Sequence, residues 1–301
     1  MVTLKDYEGG KTAWCPGCGN FMLLRAVQEA VVGLRKEPHE VLLVSGIGQA
    51  GKLPHYMRCN TFNSLHGRSL PPATGAKLAN HELTVVAVAG DGDCYGEGGN
   101  HFLHAIRRNV DITLIVHDNQ VYGLTKGQAS PTSDTGFTTK VQPEGVILAP
   151  FNPMALAVAM DASFVARGFT GEKEHLVGLI KRAVLHKGFA LVDVLQPCPS
   201  FNKLNTFTWY KERVYKLEEV AGPHPVTSGE HYDPTDRVAA FQKALEWGSK
   251  IPIGVIYTNP KRLTMEEQIH AIKEKPLVKS VPSAPSASDA ARFNKLLEEF
   301  V

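Results

Sequence analysis

The chain is 301 residues long, 43% hydrophobic and 21% charged, with a formal net charge of +2. That length suits one large α/β domain or one with a small appendage, and the near-neutral charge gives no electrostatic footing for nucleic acid or a membrane surface. No apolar run reaches bilayer-spanning length and residues 1–7 lack the apolar core of a secretion signal, so a cytoplasmic protein is expected.

Residues 1–13 are polar and read as an arm. The run Trp14-Cys15-Pro16-Gly17-Cys18-Gly19-Asn20 follows. A Cys-x-x-Cys on a tight turn presents two thiolates able to grip one metal or cluster. No predicted strand precedes it, which argues against a thioredoxin-like redox pair. A second Cys or His pair at zinc spacing is not evident, and an iron–sulfur site needs two more thiolates from elsewhere. Cluster, zinc and unligated thiols all stay open on the residues alone. The five cysteines (Cys15, Cys18, Cys59, Cys94 and Cys198) are odd in number and do not form a disulfide pattern.

Residues 21–36 form an amphipathic helix with Leu23, Leu24, Val27, Val31 and Leu34 on one face. A buried strand at 41–44 runs into Ser45-Gly46-Ile47-Gly48-Gln49-Ala50-Gly51-Lys52, either a plain strand–helix connection or a loop whose backbone meets a ligand. Cys59 is a thiolate ligand or a small buried hydrophobe. The segment Ser64-Leu65-His66-Gly67-Arg68 opens a helix toward Asn80. His66 is structural or catalytic; Arg68 and Lys52 pair with an anion or are surface charges.

Residues 83–88 are an unbroken apolar run, as suits a strand buried on both faces of a parallel sheet. It ends in Gly90-Asp91-Gly92-Asp93. A helix over 98–108 and a second buried strand over 112–116 lead to Asp118-Asn119-Gln120-Val121-Tyr122-Gly123-Leu124-Thr125. Two strand ends thus present a carboxylate and a carboxamide, hard oxygen ligands of the kind Mg²⁺ takes beside a diphosphate, with the Val121 carbonyl as a third. The Gly90 and Gly123 turns could offer N–H groups to phosphates. Alone, Gly-Asp-Gly could be a mere strand-ending turn; Asn119 and the Gly-Leu-Thr after it favour the site. Cys94 reads as packing. His101 and His104 share a helix face, with packing or a contact between subunits expected. Lys126 binds a carboxylate or is a solvated loop lysine.

Residues 134–150 read as an extended loop. A helix from 154, a strand at 163–166, a helix over 174–186 and a strand over 189–195 lead to Gln196-Pro197-Cys198-Pro199, which holds a thiolate in a rigid turn. Residues 208–222 read as a charged helix, broken by Pro223-His224-Pro225 and followed by a polar linker to 234. A helix over 236–247, a strand over 251–257 and a helix over 264–275 close the fold, with 280–289 flexible. No internal repeat is seen. The fold class is α/β, an open, mostly parallel sheet flanked by helices, with residues 223–301 as a small C-terminal α/β extension to a domain of residues 1–222.

Gly90-Asp91-Gly92 with Asn119 resembles the metal–diphosphate motif of thiamine diphosphate enzymes. The wider string Gly-Asp-Gly-Asp, Gly-Gly-Asn-His, His-Ala-Ile-Arg-Arg-Asn, Tyr-Gly-Leu-Thr-Lys-Gly-Gln and Ser-Pro-Thr resembles the β subunit of 2-oxoacid:ferredoxin oxidoreductases, from Trp14 to about Asn202 and more loosely beyond. The resemblance implies thiamine diphosphate and Mg²⁺, the ion held by Asp91, Asn119 and the Val121 carbonyl. Gly46, Ile47, Gly48, His66, Gly90, Gly92, Asp93, Gly123, Leu124 and Thr125 would line the cofactor. His66, Lys52, Arg68 and Lys126 are candidates for contacting the intermediate, the diphosphate or the substrate carboxylate.

The resemblance also implies a [4Fe-4S] cluster. Better-known members carry a third cluster cysteine right after Gly-Ile-Gly, where this chain has Gln49; the expectation is that Cys59 replaces it beside Cys15, Cys18 and Cys198. No glutamate suited to activating the cofactor is found; in enzymes of this kind it comes from a partner chain, and the resemblance implies an obligate α subunit, in a heterodimer or a dimer of heterodimers. The implied reaction is CoA-dependent oxidative decarboxylation of a 2-oxoacid, pyruvate or 2-oxoglutarate, with electrons passing to ferredoxin. Asp233-Pro234-Thr235-Asp236 and Ile251-Pro252-Ile253-Gly254 look more like the 2-oxoglutarate type. The alternatives are a non-oxidative thiamine diphosphate-dependent decarboxylase or synthase subunit, and an electron-transfer module that lacks thiamine.

Overall fold

A computed structural model describes residues 1–220, 232–279 and 287–299. In chain order the elements are α1 (Asn20–Gly33), β1 (Val41–Ser45), β2 (Asn60–Asn63), α2 (Leu70–Ala79), β3 (Thr84–Gly90), α3 (Gly99–Arg108) and β4 (Thr113–Asp118). Then come the hairpin β5 (Val121–Tyr122) and β6 (Gln128–Ala129), α4 (Pro153–Ala159), β7 (Phe164–Phe169), α5 (Lys173–Leu185) and β8 (Ala190–Leu195). The last described elements are α6 (Phe207–Lys211), β9 (Val214–Lys216), α7 (Leu217–Val220), α8 (Arg237–Leu245), β10 (Ile251–Thr258), α9 (Met265–Gln268) and α10 (Ala287–Glu298).

Eight strands form one sheet in the order β2-β1-β3-β4-β8-β7-β10-β9. Its pairs are parallel except β10 with β7. Alternate residues of each central strand feed two cores, because successive Cβ atoms leave a strand on opposite faces. Val44, Ala87, Leu114, Val116 and Leu191 pack on one side with Phe102, Ile106 and Val158. Leu43, Val86, Val88, Ile115 and Val192 pack on the other with Val27, Val31 and Ile180. Both faces are covered, so these strands read as continuous apolar runs.

Several segments depart from the sequence reading. The expected polar arm is anchored: Tyr7 is fully buried, its hydroxyl donates to the Lys36 carbonyl (2.9 Å), and the Gly9 N–H donates to Tyr56 O (3.2 Å). One deeply seated aromatic leaves no periodic signal. The helix expected from Ser64 starts at Leu70, since Gly67 turns left-handed (φ 69) and 64–68 forms a turn. Pro71 and Pro72 mark the first helical turn. β2 is an exposed edge strand with no alternation to read.

The expected helix over 208–222 is instead α6, β9 and α7, because Val214-Tyr215-Lys216 pairs with β10. The helix over 264–275 shrinks to α9, started by the Thr264–Glu267 capping box. Residues 287–289, read as flexible, open α10. The Pro223-His224-Pro225 break, most of the linker and 280–286 lie outside the described residues. β10 is a full member of the main sheet, so the C-terminal stretch extends that sheet.

Candidate active site

The C-terminal ends of β1, β3, β4 and β8 lie side by side, and the loops leaving them build two adjoining clefts, as ligand sites in open α/β sheets are built. The first cleft, of about 500 Å³, is lined by residues of the 47–50 loop, His66, the 90–93 turn, Asn119 and residues 121–125. Every expected cofactor-lining position except Gly46 faces it. Gly46 serves it indirectly: a Cβ there would fall 1.8 Å from Asp93 Oδ2, so only glycine lets that carboxylate stand against the loop.

Asp91 is buried at the end of β3. Its Oδ2 accepts from Ser130 Oγ (2.5 Å) and from Thr132 Oγ1 (2.7 Å). The β5–β6 hairpin carries these two hydroxyls back over β3. Thr132 Oγ1 also lies 2.8 Å from Asp118 Oδ1. One hydroxyl proton cannot serve two carboxylates. Burial pushes Asp118 well above the carboxylate range, with Asp193 and Asp91 adding to the rise. One of the two carboxyl groups therefore carries a proton, and Thr132 bridges them.

Burial raises Asp91 as well, against the Ser130 and Thr132 hydroxyls. A divalent cation would reverse that rise. Asn119 Oδ1 accepts from the Val121 N–H (3.1 Å), while its Nδ2 donates to Gln196 Oε1 (3.3 Å). Asp91, Asn119 and Val121 thus meet in one cleft as a set of hard oxygens, which suits Mg²⁺ completed by phosphate oxygens. Among the described residues, no three His, Cys, Asp or Glu side chains converge as a metal held by them alone would need.

After Asp91 the chain makes a π-helical turn (Gly92–Glu97), with the Gly98 N–H donating to Asp93 O (3.0 Å). The wide turn tucks Asp93 under the loop. Its Oδ1 accepts from the Gly67 N–H (2.6 Å) and the Ile47 N–H (3.2 Å). Its Oδ2 is buried and has no partner among the described residues, so a polar ligand group is needed there. Burial pushes the Asp93 carboxyl up to about 6, against the pull of those two amides. His66 Nδ1 lies 2.9 Å from Asp93 Oδ1 and 3.3 Å from Glu97 Oε2. The ring is near enough to pair as a cation but off the line a hydrogen bond requires.

The second cleft is lined by Trp14, Cys15, Cys18, Gln49, Cys198 and neighbours. Gln49, Asn119 and Gly123 line both clefts and form the wall between them. Burial raises the Cys18 thiol to about 11, and Cys198 and Cys15 both contribute to the rise. The three thiols share a cleft without converging on one point.

Cys59 is not brought to this group. It packs into the core beside α1 and β1, with a hydrogen bond from the Leu43 backbone, and burial raises it to about 11. Cys59 lies at the start of β2, level with the N-terminal end of β1 (Leu42 pairs with Asn60), at the end of the sheet opposite the thiol cleft. Lys52, Arg68 and Lys126 do not line the cofactor cleft. Lys52 lies in the 3-10 turn Ala50–Tyr56. Arg68 Nη1 donates to the Glu97 carbonyl (3.0 Å), pinning the π-helical turn. Lys126 is exposed on a left-handed corner (φ 79). Cys94 is buried packing, and His104 Nδ1 lies 3.3 Å from Arg107 on the outer face of α3. The sequence motif Ser130-Pro131-Thr132 carries no local sign of what its hydroxyls do, because their partners lie about 40 residues away in the chain.

Two family models match the chain. One is the C-terminal TPP binding domain of thiamine pyrophosphate enzymes, over residues 46–194. The other is the C-terminal part of the pyruvate ferredoxin oxidoreductase beta subunit, over residues 198–274. The first spans the glycine-rich loop and the Asp91 corner; the second begins at Cys198. The chain is similar to the 2-oxoacid:ferredoxin oxidoreductase subunit beta of Sulfolobus sp, 48% identical over 260 residues, covering 86% of this chain and 85% of the relative. It is also similar to the 2-oxoglutarate synthase subunit KorB of Archaeoglobus fulgidus, 39% identical over 233 residues, covering 77% and 85%. A solved structure described as 2-oxoglutarate:ferredoxin oxidoreductase from Magnetococcus marinus with 2-oxoglutarate, coenzyme A and succinyl-CoA bound has a TM-score of 0.85 and 34% identity, covering 98% of this chain and 96% of that one. Among the described residues, no helix is long and apolar enough to cross a membrane.

Proposed function

Since this chain belongs to the family of 2-oxoacid:ferredoxin oxidoreductase β subunits, we propose that its first cleft binds thiamine diphosphate with Mg²⁺ and that its second holds a [4Fe-4S] cluster. With the α subunit, the complex oxidatively decarboxylates a 2-oxoacid, gives the acyl group to CoA and passes electrons to ferredoxin in the cytoplasm. Residues 1–222 would carry both sites, and residues 223–301 would extend the sheet.

The observation that carries the reading is the single cleft in which Asp91, Asn119 and Val121 meet beside the unpartnered oxygen of Asp93. Thiamine diphosphate supplies an electron sink for the carboxylate carbon's bonding pair as CO₂ leaves. The chain's own residues do the rest. Asp91, Asn119 Oδ1 and the Val121 carbonyl would hold the ion, and Gly92, Asp93, Leu124 and Thr125 would line the diphosphate. The Ser130 and Thr132 hydroxyls donate to Asp91 and so fix the ligand carboxylate. His66, held near Asp93 and Glu97, offers a ring N–H toward the substrate. Cys15, Cys18 and Cys198 would keep the electron acceptor one wall away, across Gln49, Asn119 and Gly123. The relatives bearing 2-oxoglutarate names support that 2-oxoacid as the substrate.

The test is anaerobic co-purification with the α subunit, followed by assay of a 2-oxoacid panel with CoA and a viologen. CoA-dependent viologen reduction, fastest with 2-oxoglutarate and abolished by Asp91→Ala, is expected. Unaltered turnover in Asp91→Ala, or no CoA-dependent oxidation of any 2-oxoacid, would refute the proposal.

A further inference from the structure

The thiol cleft contains three cysteines and, in the wall shared with the cofactor cleft, the amides of Gln49 and Asn119; Asn119 is already bonded to Gln196 and the Val121 N–H, which leaves Gln49. Its position is tightly determined. Trp14 Nε1, one residue before Cys15, donates to the Gln49 carbonyl (2.9 Å). Trp14 is itself wedged edge-on against Phe21 and Tyr56. Gln49 also opens the 3-10 turn Ala50–Tyr56, which fixes its backbone. On the other side its Cγ packs over Gly123, where a Cβ would come within 3.6 Å. The side chain therefore stands in the wall between the two clefts. The Oε1 atom is buried and has no hydrogen-bond partner among the described residues. A buried carbonyl oxygen without a partner costs about 1–3 kcal/mol unless a ligand satisfies it.

We infer that Gln49 Oε1 ligates the fourth corner of the cluster, so that one iron, the one facing the cofactor cleft, has no thiolate. This rests on the cluster assigned above. Two consequences follow from charge and bond strength. A neutral amide in place of a thiolate leaves the cluster one unit less negative, which raises its reduction potential. An amide oxygen also binds iron more weakly than a thiolate does, so this corner is the labile one. Under mild oxidation the cluster loses one Fe²⁺ from that corner and gives one electron to the oxidant, leaving a three-iron cluster on Cys15, Cys18 and Cys198. Cys59, lodged in the core against Leu43, takes no part.

The test uses the complex of this chain with its α subunit, purified without oxygen, as wild type and with Gln49→Cys, Gln49→Glu, Gln49→Leu or Cys59→Ser. Iron and sulfide are counted, and electron paramagnetic resonance is recorded before and after stoichiometric ferricyanide. Wild type should convert to the three-iron signal. Gln49→Cys and Gln49→Glu should resist conversion, and Gln49→Cys should also have a lower midpoint potential. Gln49→Leu should be deficient in iron relative to sulfide as purified and give the three-iron signal once ferricyanide is added. Cys59→Ser should match wild type. If wild type and Gln49→Leu resist oxidation as Gln49→Cys does, or if Cys59→Ser loses the fourth iron, the assignment to Gln49 is overturned while the cluster stands. Wild-type complex free of iron would overturn the cluster itself.

Discussion

Thr132 stands between two buried carboxyl groups as a relay, its hydroxyl 2.7 Å from Asp91 Oδ2 and 2.8 Å from Asp118 Oδ1. Such supporting hydrogen bonds orient a metal ligand, and their loss typically weakens metal binding about 10- to 100-fold. Thr132→Val preserves shape and removes the relay. We expect it to weaken Mg²⁺-dependent thiamine diphosphate binding by the complex at least about tenfold, measured by calorimetric titration; unchanged affinity would show that Asp91 is held without the relay. Asp91, Asn119 and Val121 were legible in the sequence because each sits within a few residues of an apolar run whose end can be located. Ser130 and Thr132 were visible as a motif but their partner was not, since a hydroxyl's acceptor depends on where a hairpin folds back. Cys59 was misassigned for a related reason: a count of thiols does not say at which end of the sheet each lies, and Cys59 precedes β2 at the end opposite the clefts.

Asn109 ends α3 in the left-handed conformation (φ 54) and ties three elements together. Its Oδ1 accepts from the Phe189 N–H (2.9 Å) and Ser163 Oγ (2.7 Å), and its Nδ2 donates to Leu263 O (3.1 Å). Asn109→Ala would leave buried donors unpaired and force a Cβ-bearing residue without a local hydrogen bond into that conformation. A loss of roughly 2–4 kcal/mol is expected, read from urea unfolding; a loss under about 0.5 kcal/mol would place the junction's strength elsewhere. Elements with strong local signals matched the reading: α1, β3, α3, β4, α5 and β8. Those that differed, β2 and β9, owe their state to pairing with chain remote in sequence, whereas the short α9 is started by its local capping box. Val214-Tyr215-Lys216 has helical neighbours and becomes a strand because β10 offers an edge.

His186, just past α5, is half-buried against the Phe164 ring, and burial holds its imidazole below the ordinary value of 6.5, with Asp111 pulling the other way. The folded state therefore resists protonation while the unfolded chain accepts it. Stability from this residue is present above the ordinary histidine range and is lost as pH falls through it. The melting temperature of wild type relative to His186→Phe should accordingly fall between about pH 7 and about pH 5.5; a difference independent of pH would contradict the sign. The sequence by itself determined the α/β class, the parallel core and the two strand ends that offer oxygens to an ion, because hydrophobic period and turn chemistry are local. Only the tertiary structure decided that β10 joins the sheet antiparallel to β7 with β9 at the edge, and that Cys15, Cys18, Cys198 and Gln49, but not Cys59, line one cleft. Those facts depend on strand order and loop direction, which arise from contacts between residues far apart in the chain and leave no local pattern.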